Sequence, residues 1–154
     1  TVDRVLGEAL QDRRYDILYP GPLPLDLQAL GAQAGWHHAS PFWVGVNARF
    51  GSWFAYRALI LADSDFAVTI PWAEPSPCDS CAGRPCVSAC PANAMAGGQF
   101  SVDLCMAYRR QHDSLCRYQC LARNACPVWP QYRYDDAQMK HHYAASLRFI
   151  EAMT

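Results

Sequence analysis

The chain has little charge in excess of either sign. Thirteen Lys and Arg stand against fourteen Asp and Glu, for a formal net charge of −1. With a pI near 6.5 that balance gives no electrostatic footprint for nucleic acid. Long apolar runs are missing as well. Stretches such as Ala58-Leu59-Ile60-Leu61-Ala62 fall far short of the ~18 residues a membrane-spanning helix needs. Disorder is excluded from the other side, because 51% of the residues are hydrophobic and no low-complexity tract occurs. Residues 1–10 lack a basic region followed by an apolar stretch, so they read as an amphipathic helix and not a signal peptide. The expected compartment is the cytoplasm, where thiols stay reduced. Gly97-Gly98 lies outside any G-x4-G-K-[ST] pattern, and His141-His142 forms no H-x3-H pair, so a phosphate loop and a zincin site are both excluded. No repeat of solenoid period is visible. The most informative absence is local: residues 1–77 contain no cysteine, and all eight lie between Cys78 and Cys126.

That composition shift marks a module boundary, with the proline-rich stretch 71–77 as the joint. Before it, Val2, Val5, Leu6, Ala9 and Leu10 follow helical spacing. Pro20-Gly21-Pro22 stops that element. Residues 26–34 read as a second helix with Leu27 and Leu30 on one face, and Gly35 is placed to end it. Residues 42–46 and 52–61 are rich in aromatic and branched side chains. They suit strands of a buried hairpin joined by residues 47–51, although the second run is also open to a buried helix. After the cysteines, Met139, Tyr143, Leu147 and Ile150 recur at spacings of three and four, with Asp135 or Asp136 as the cap. The expected class is α+β.

The first four cysteines read Cys78-x2-Cys81-x4-Cys86-x3-Cys90-Pro91. The dicluster ferredoxin run is C-x2-C-x2-C-x3-C-P, so the departure is two inserted residues between Cys81 and Cys86. Three thiolates close in sequence wrap three corners of a cubane cluster, and the tight loop aims backbone N–H groups at the sulfides. The fourth, before proline, leaves the loop for the other cluster. The second set, Cys105, Cys116, Cys120 and Cys126-Pro127, is looser but repeats the Cys-Pro ending. Under the ferredoxin crossing rule Cys78, Cys81, Cys86 and Cys126 hold one [4Fe–4S] cluster, and Cys90, Cys105, Cys116 and Cys120 the other. Two zinc sites, each with four cysteine ligands, would favour paired C-x2-C motifs. Four disulfides would suit an exported chain.

The run Asn47-Ala48-Arg49-Phe50-Gly51-Ser52-Trp53-Phe54, the C-P module, Cys105-Met106-Ala107-Tyr108 and Ala125-Cys126-Pro127-Val128 together resemble the epoxyqueuosine reductase family. Reductive dehalogenases carry a similar arrangement. The resemblance spans roughly residues 24–130. It implies a small α/β part, residues 1–77, packed on a ferredoxin-like dicluster module, residues 78–130, with a C-terminal helix over 131–154 packing on the body. Those enzymes are cobalamin-dependent, with clusters feeding electrons to a corrinoid. Here their tryptophan-isoleucine-glycine-lysine-asparagine element reads Trp43-Val44-Gly45-Val46-Asn47, with valine in place of lysine. The chain also has no room for the family's long N-terminal half, so no catalytic residue is carried over.

The expected function is one-electron transfer through two [4Fe–4S] clusters to a redox partner protein. The alternatives are a reductase whose N-terminal part binds a corrinoid or another cofactor, and a structural or sensing role for the clusters. Val87, Met95, Leu104 and Leu115 are expected to shield the clusters. The aromatics Trp36, Phe42, Trp43, Phe50, Trp53, Phe54 and Tyr56 read as core, with a stacked flat cofactor as the rarer use. His37-His38 and His141-His142 read as surface histidines. Arg109-Arg110 and Arg13-Arg14 are basic pairs able to steer an acidic partner, though two charges make no patch.

Overall fold

The order along the chain is α1 (Val2–Leu10), β1 (Tyr15–Tyr19), α2 (Leu27–Gln33), β2 (Leu59–Ala62), α3 (Pro85–Ser88), α4 (Val102–Arg110), α5 (Leu121–Asn124), a 3₁₀ turn (Pro130–Tyr132) and α6 (Asp136–Ala152). This computed structural model describes residues 2–11, 13–71 and 74–153, without the side chain of Val2. Thr1, the Val2 side chain and part of the 71–77 joint, all used in reading the sequence, lie outside the described residues. The class is mixed α+β. The chain divides into two units, Thr1–Trp36 with Ala55–Ala73, and His37–Phe54 with Glu74–Thr154. That division does not fall at residue 77, because residues 37–54 belong with the cysteines.

In the first unit α1 buries Leu6 and Leu10, one turn apart, while Val5 is exposed. β1 pairs antiparallel with β2, from Tyr15 opposite Ala62 to Tyr19 opposite Leu59, with an irregularity between Ile17 and Tyr19. Tyr15 and Asp16 are exposed, and Ile17, Leu18 and Tyr19 are half-buried, so burial rises along β1 and does not alternate. α2 starts at Asp26, whose carboxylate accepts from Gln28 N (2.9 Å) and Ala29 N (3.0 Å). It closes in a Schellman motif, with Gly35 N donating to Ala32 O and Trp36 N to Gly31 O.

The hairpin expected from residues 42–46 and 52–61 does not form. Only Leu59–Ala62 of that stretch is strand, and its partner is β1. Residues 37–54 instead make an irregular loop held by two isolated bridges, His38 with Val46 and Asn47 with Gly51. The side-chain oxygen of Asn47 accepts from Arg49 N (3.0 Å) and Phe50 N (2.7 Å), a turn that no ladder extends. Val46 and Ser52 are fully buried in this loop, so the branched and aromatic composition reflects burial and not strand pairing.

The core of the second unit is Phe42, Cys86, Met95, Ala122 and Cys126, with Val44, Val87, Phe100 and Val128 packed against it. The two short helices α3 and α5 pack on each other, and α4 packs on α6. α6 opens with a capping box between Asp135 and Gln138 and buries Met139, Leu147 and Ile150. Among the described residues no helix is long and apolar enough to cross a membrane.

Candidate metal centre

The eight thiols gather around two cavities. Cys78, Cys81, Cys86 and Cys126 line the first, together with Phe42, Arg84 and Val128. Cys90, Cys105, Cys116 and Cys120 line the second, together with Phe42, Phe100, Arg109 and Tyr143. The first closes tightly on its thiols, leaving about 10 Å³. The second leaves about 140 Å³. All eight cysteines are free, and none forms a disulfide. Among the described residues no three His, Cys, Asp or Glu side chains converge on one point as ligands of a single ion.

The short helices produce the crossing. Arg84, with φ 40°, turns the chain into α3, and Pro85 occupies its first turn. Cys86 sits within α3 and faces the first cavity, whereas Cys90 lies just past its end and faces the second. α5 reverses this order. Cys120 is its N-cap and faces the second cavity, and Cys126 follows its end and faces the first. Since α3 packs on α5, two one-turn helices distribute four cysteines between both sites. Cys105 comes from α4, and Cys116 follows a turn in which Ser114 Oγ accepts from Cys116 N at 3.1 Å.

Backbone N–H groups point at the sulfurs. Arg123 N donates to Cys120 Sγ at 3.4 Å. Ala122 N–H also reaches Cys120, Leu121 N–H reaches Cys116 and Val128 N–H reaches Cys126. Such donors stabilise negative sulfur. Burial works against it. It is the largest cause holding the thiols of Cys78, Cys86, Cys105, Cys116, Cys120 and Cys126 above their ordinary range, with neighbouring cysteines adding to it. Cys105 is pushed up to about 11. Because the thiolate is the nucleophile, alkylation of Cys105 in metal-free protein should rise about tenfold per pH unit between roughly pH 8 and pH 10. Iodoacetamide labelling read by mass spectrometry checks this, and a plateau already at pH 8 would contradict it.

Two buried arginines stand beside the thiols. Arg109, 7% exposed, lies one helical turn after Cys105 and so shares its face of α4. Its Nε donates to Cys116 O (3.0 Å), and one terminal nitrogen donates to Arg117 O (3.3 Å), Tyr143 O (2.9 Å) and Ser146 Oγ (3.0 Å). Arg123, also 7% exposed, donates to Ser52 O and lies over the rings of Trp53 (4.5 Å) and Tyr134 (5.0 Å). Its Nε is buried with no hydrogen-bond partner. Neither guanidinium is ion-paired to a carboxylate among the described residues. A buried charge ordinarily needs an opposite one. The donor set and these two cations therefore fit an anionic group in the cavities.

Several expectations change here. Arg109 and Arg110 do not steer a partner from the surface. Arg109 is turned inward, and Arg110 donates to Ile150 O at 2.9 Å, tying α4 to α6. Met95 lines the second cavity and Val87 packs on the core, but Leu104 and Leu115 are 50% and 61% exposed. Each adjoins a cysteine in sequence, and adjacent residues point in different directions. Phe42, Val44, Phe100 and Ala122 take their place as cavity walls. The aromatics form no single platform. Trp36 pairs with Tyr56, Trp43 with Phe100, Phe50 with Tyr132 and Trp53 with Tyr134. His37 is buried, not superficial, and its ring lies 5.9 Å from that of Phe54. His38 Nε2 contacts Glu74 O at 2.9 Å, and His142 lies 5.4 Å from the Tyr134 ring. Among the described residues no histidine lines either thiol cavity. Reading the sequence missed Phe42 as a shared wall and Arg109 as a buried cation, although the four-residue step from Cys105 to Arg109 was a usable signal.

No protein family, curated protein or solved structure matches this chain.

Proposed function

We propose that the chain is an iron–sulfur electron-transfer protein with a [4Fe–4S] cluster in each cavity. One observation carries the reading: two cavities are each lined by four free thiols, with no cysteine left over. The four thiols of the second set ring a cavity of about 140 Å³. A single tetrahedral zinc would draw its sulfurs to about 3.8 Å from one another and leave no such space, so the second cavity favours a polynuclear group. When bound, such clusters accept and release one electron with little change of geometry. The chain's own residues do the rest. Eight thiolates hold the metal, N–H groups of Leu121, Ala122, Arg123 and Val128 stabilise the sulfurs, and Phe42, Met95 and Phe100 keep water out. On this reading the likeness of residues 47–54 and the cysteine run to epoxyqueuosine reductases reflects a common electron-delivering module.

Anaerobically purified protein should hold about eight iron and eight sulfide per chain, with broad absorbance near roughly 400 nm. Colourless protein containing zinc would overturn the proposal. A corrinoid that co-purified with the iron would transfer the reading to a cofactor-dependent reductase fed by the clusters.

A further inference from the structure

We propose that Arg109 is the fixed counter-cation of the second cavity and sets the reduction potential of the cluster held by Cys90, Cys105, Cys116 and Cys120. The inference rests on the electron-transfer reading above. Reduction adds one negative charge to the bound group. A cation held nearby in a poorly hydrated place stabilises the reduced form more than the oxidised one, and so raises the potential.

Arg109 has the properties that role requires. It lines the second cavity and is buried. All its hydrogen bonds go to neutral acceptors, Cys116 O, Arg117 O, Tyr143 O and Ser146 Oγ. Its charge is therefore not cancelled locally, and the thiol set facing it is the natural anion. The four bonds also fix it in place, since they come from the segment after α4 and from α6. It cannot swing toward solvent without breaking contacts to both. A guanidinium stays protonated at any working pH, so the field it supplies is constant. The first cavity is served differently: the buried Arg123 lies near Cys126 and near Cys120 of the other set alike, and lines neither cavity. Arg84 lines that cavity but is exposed, where water and salt screen it.

The rival account is that Arg109 only ties α4 to α6. Potentiometric titration followed by electron paramagnetic resonance separates the two. Wild type should show two midpoints. In Arg109→Gln one midpoint should move to more negative potential while the other stays, and Arg109→Lys should keep both near wild type. If Arg109→Gln and Arg109→Lys lower the melting temperature alike but leave both midpoints in place, the residue is structural and the proposal fails. Equal midpoint shifts in both variants would also overturn it, because the lysine keeps the charge. Should Arg109→Gln not fold, Ser146→Asp supplies the check. Ser146 is exposed on α6 within hydrogen-bond reach of Arg109, and a carboxylate there neutralises the cation without removing it. One midpoint should fall in Ser146→Asp and not in Ser146→Asn, and two unmoved midpoints in both would count against the proposal. Wild-type protein without iron and sulfide would instead sink the electron-transfer reading, a failure visible before any titration.

Discussion

Cys126→Ala should remove the cluster proposed for the first cavity, although Cys126 belongs by sequence to the second half of the cysteine module. The expectation follows from the two short helices. Cys126 emerges past the end of α5 toward Cys78, Cys81 and Cys86, while Cys120 at the start of α5 faces the other set. Cys126→Ala and Cys120→Ala should each reduce iron and sulfide from about eight to about four per chain. Single variants do not reveal which thiols share a site, but pairs do. Cys86→Ala with Cys126→Ala strikes one cavity twice and should still leave about four iron. Cys120→Ala with Cys126→Ala strikes both and should leave almost none. Removals within one unit are non-additive and removals in separate units add. If each half of the sequence kept its own cluster, the two double variants would give the reverse result. Folding should register the loss too, since metal binding and folding are coupled. The buried Cys126 should lower the melting temperature more than the half-buried Cys78.

What was legible in the sequence, and what was not, follows the range of the forces involved. The run from Cys78 to Cys90-Pro91 is readable because thiolates within a few residues of one another have few ways to surround a small group. Pairing Cys126 with the first three needed a rule from outside local spacing, because its partners lie at least 40 residues upstream. The strand Tyr15–Tyr19 went unread for a like reason. Its ladder partner begins at Leu59, and nothing near Tyr15 announces it. Residues 42–54 were misread because buried loops and buried strands use the same side chains. The deciding feature was Asn47, whose side chain caps its own turn and ends the pairing. Arg109 was misread because paired arginines usually face water, whereas here the acceptors are carbonyls of Cys116 and Tyr143, the second of them on a distant helix.

The same loop carries the second large effect. Gly51→Ala should destabilise the chain by about 2–4 kcal/mol, adding a left-handed backbone penalty to a steric one. Gly51 has φ +59°, and a Cβ there would run into the carbonyl oxygen of Val128. That neighbour is backbone and cannot rotate away. Val128 is also part of the first site, for it lines the cavity and its N–H reaches the Cys126 sulfur. Pushing Val128 aside therefore disturbs Cys126 as well as the loop. Arg123 donating to Ser52 O and Trp129 Nε1 donating to Ala48 O hold the two segments together on either side of the contact, so neither can recede freely. Gly83 supplies the control. It lies between Cys81 and Cys86 with φ +71°, yet nothing stands within 4 Å of its Cβ position. Gly83→Ala meets the backbone penalty alone, about 1 kcal/mol. Thermal unfolding and iron content of the two variants isolate the Val128 contact. Gly51→Ala should lose cluster from the first cavity first, leaving a sample with about half its iron, while Gly83→Ala keeps both clusters. Equal stability and equal iron in the two variants would mean that the loop of residues 47–51 does not brace the first site.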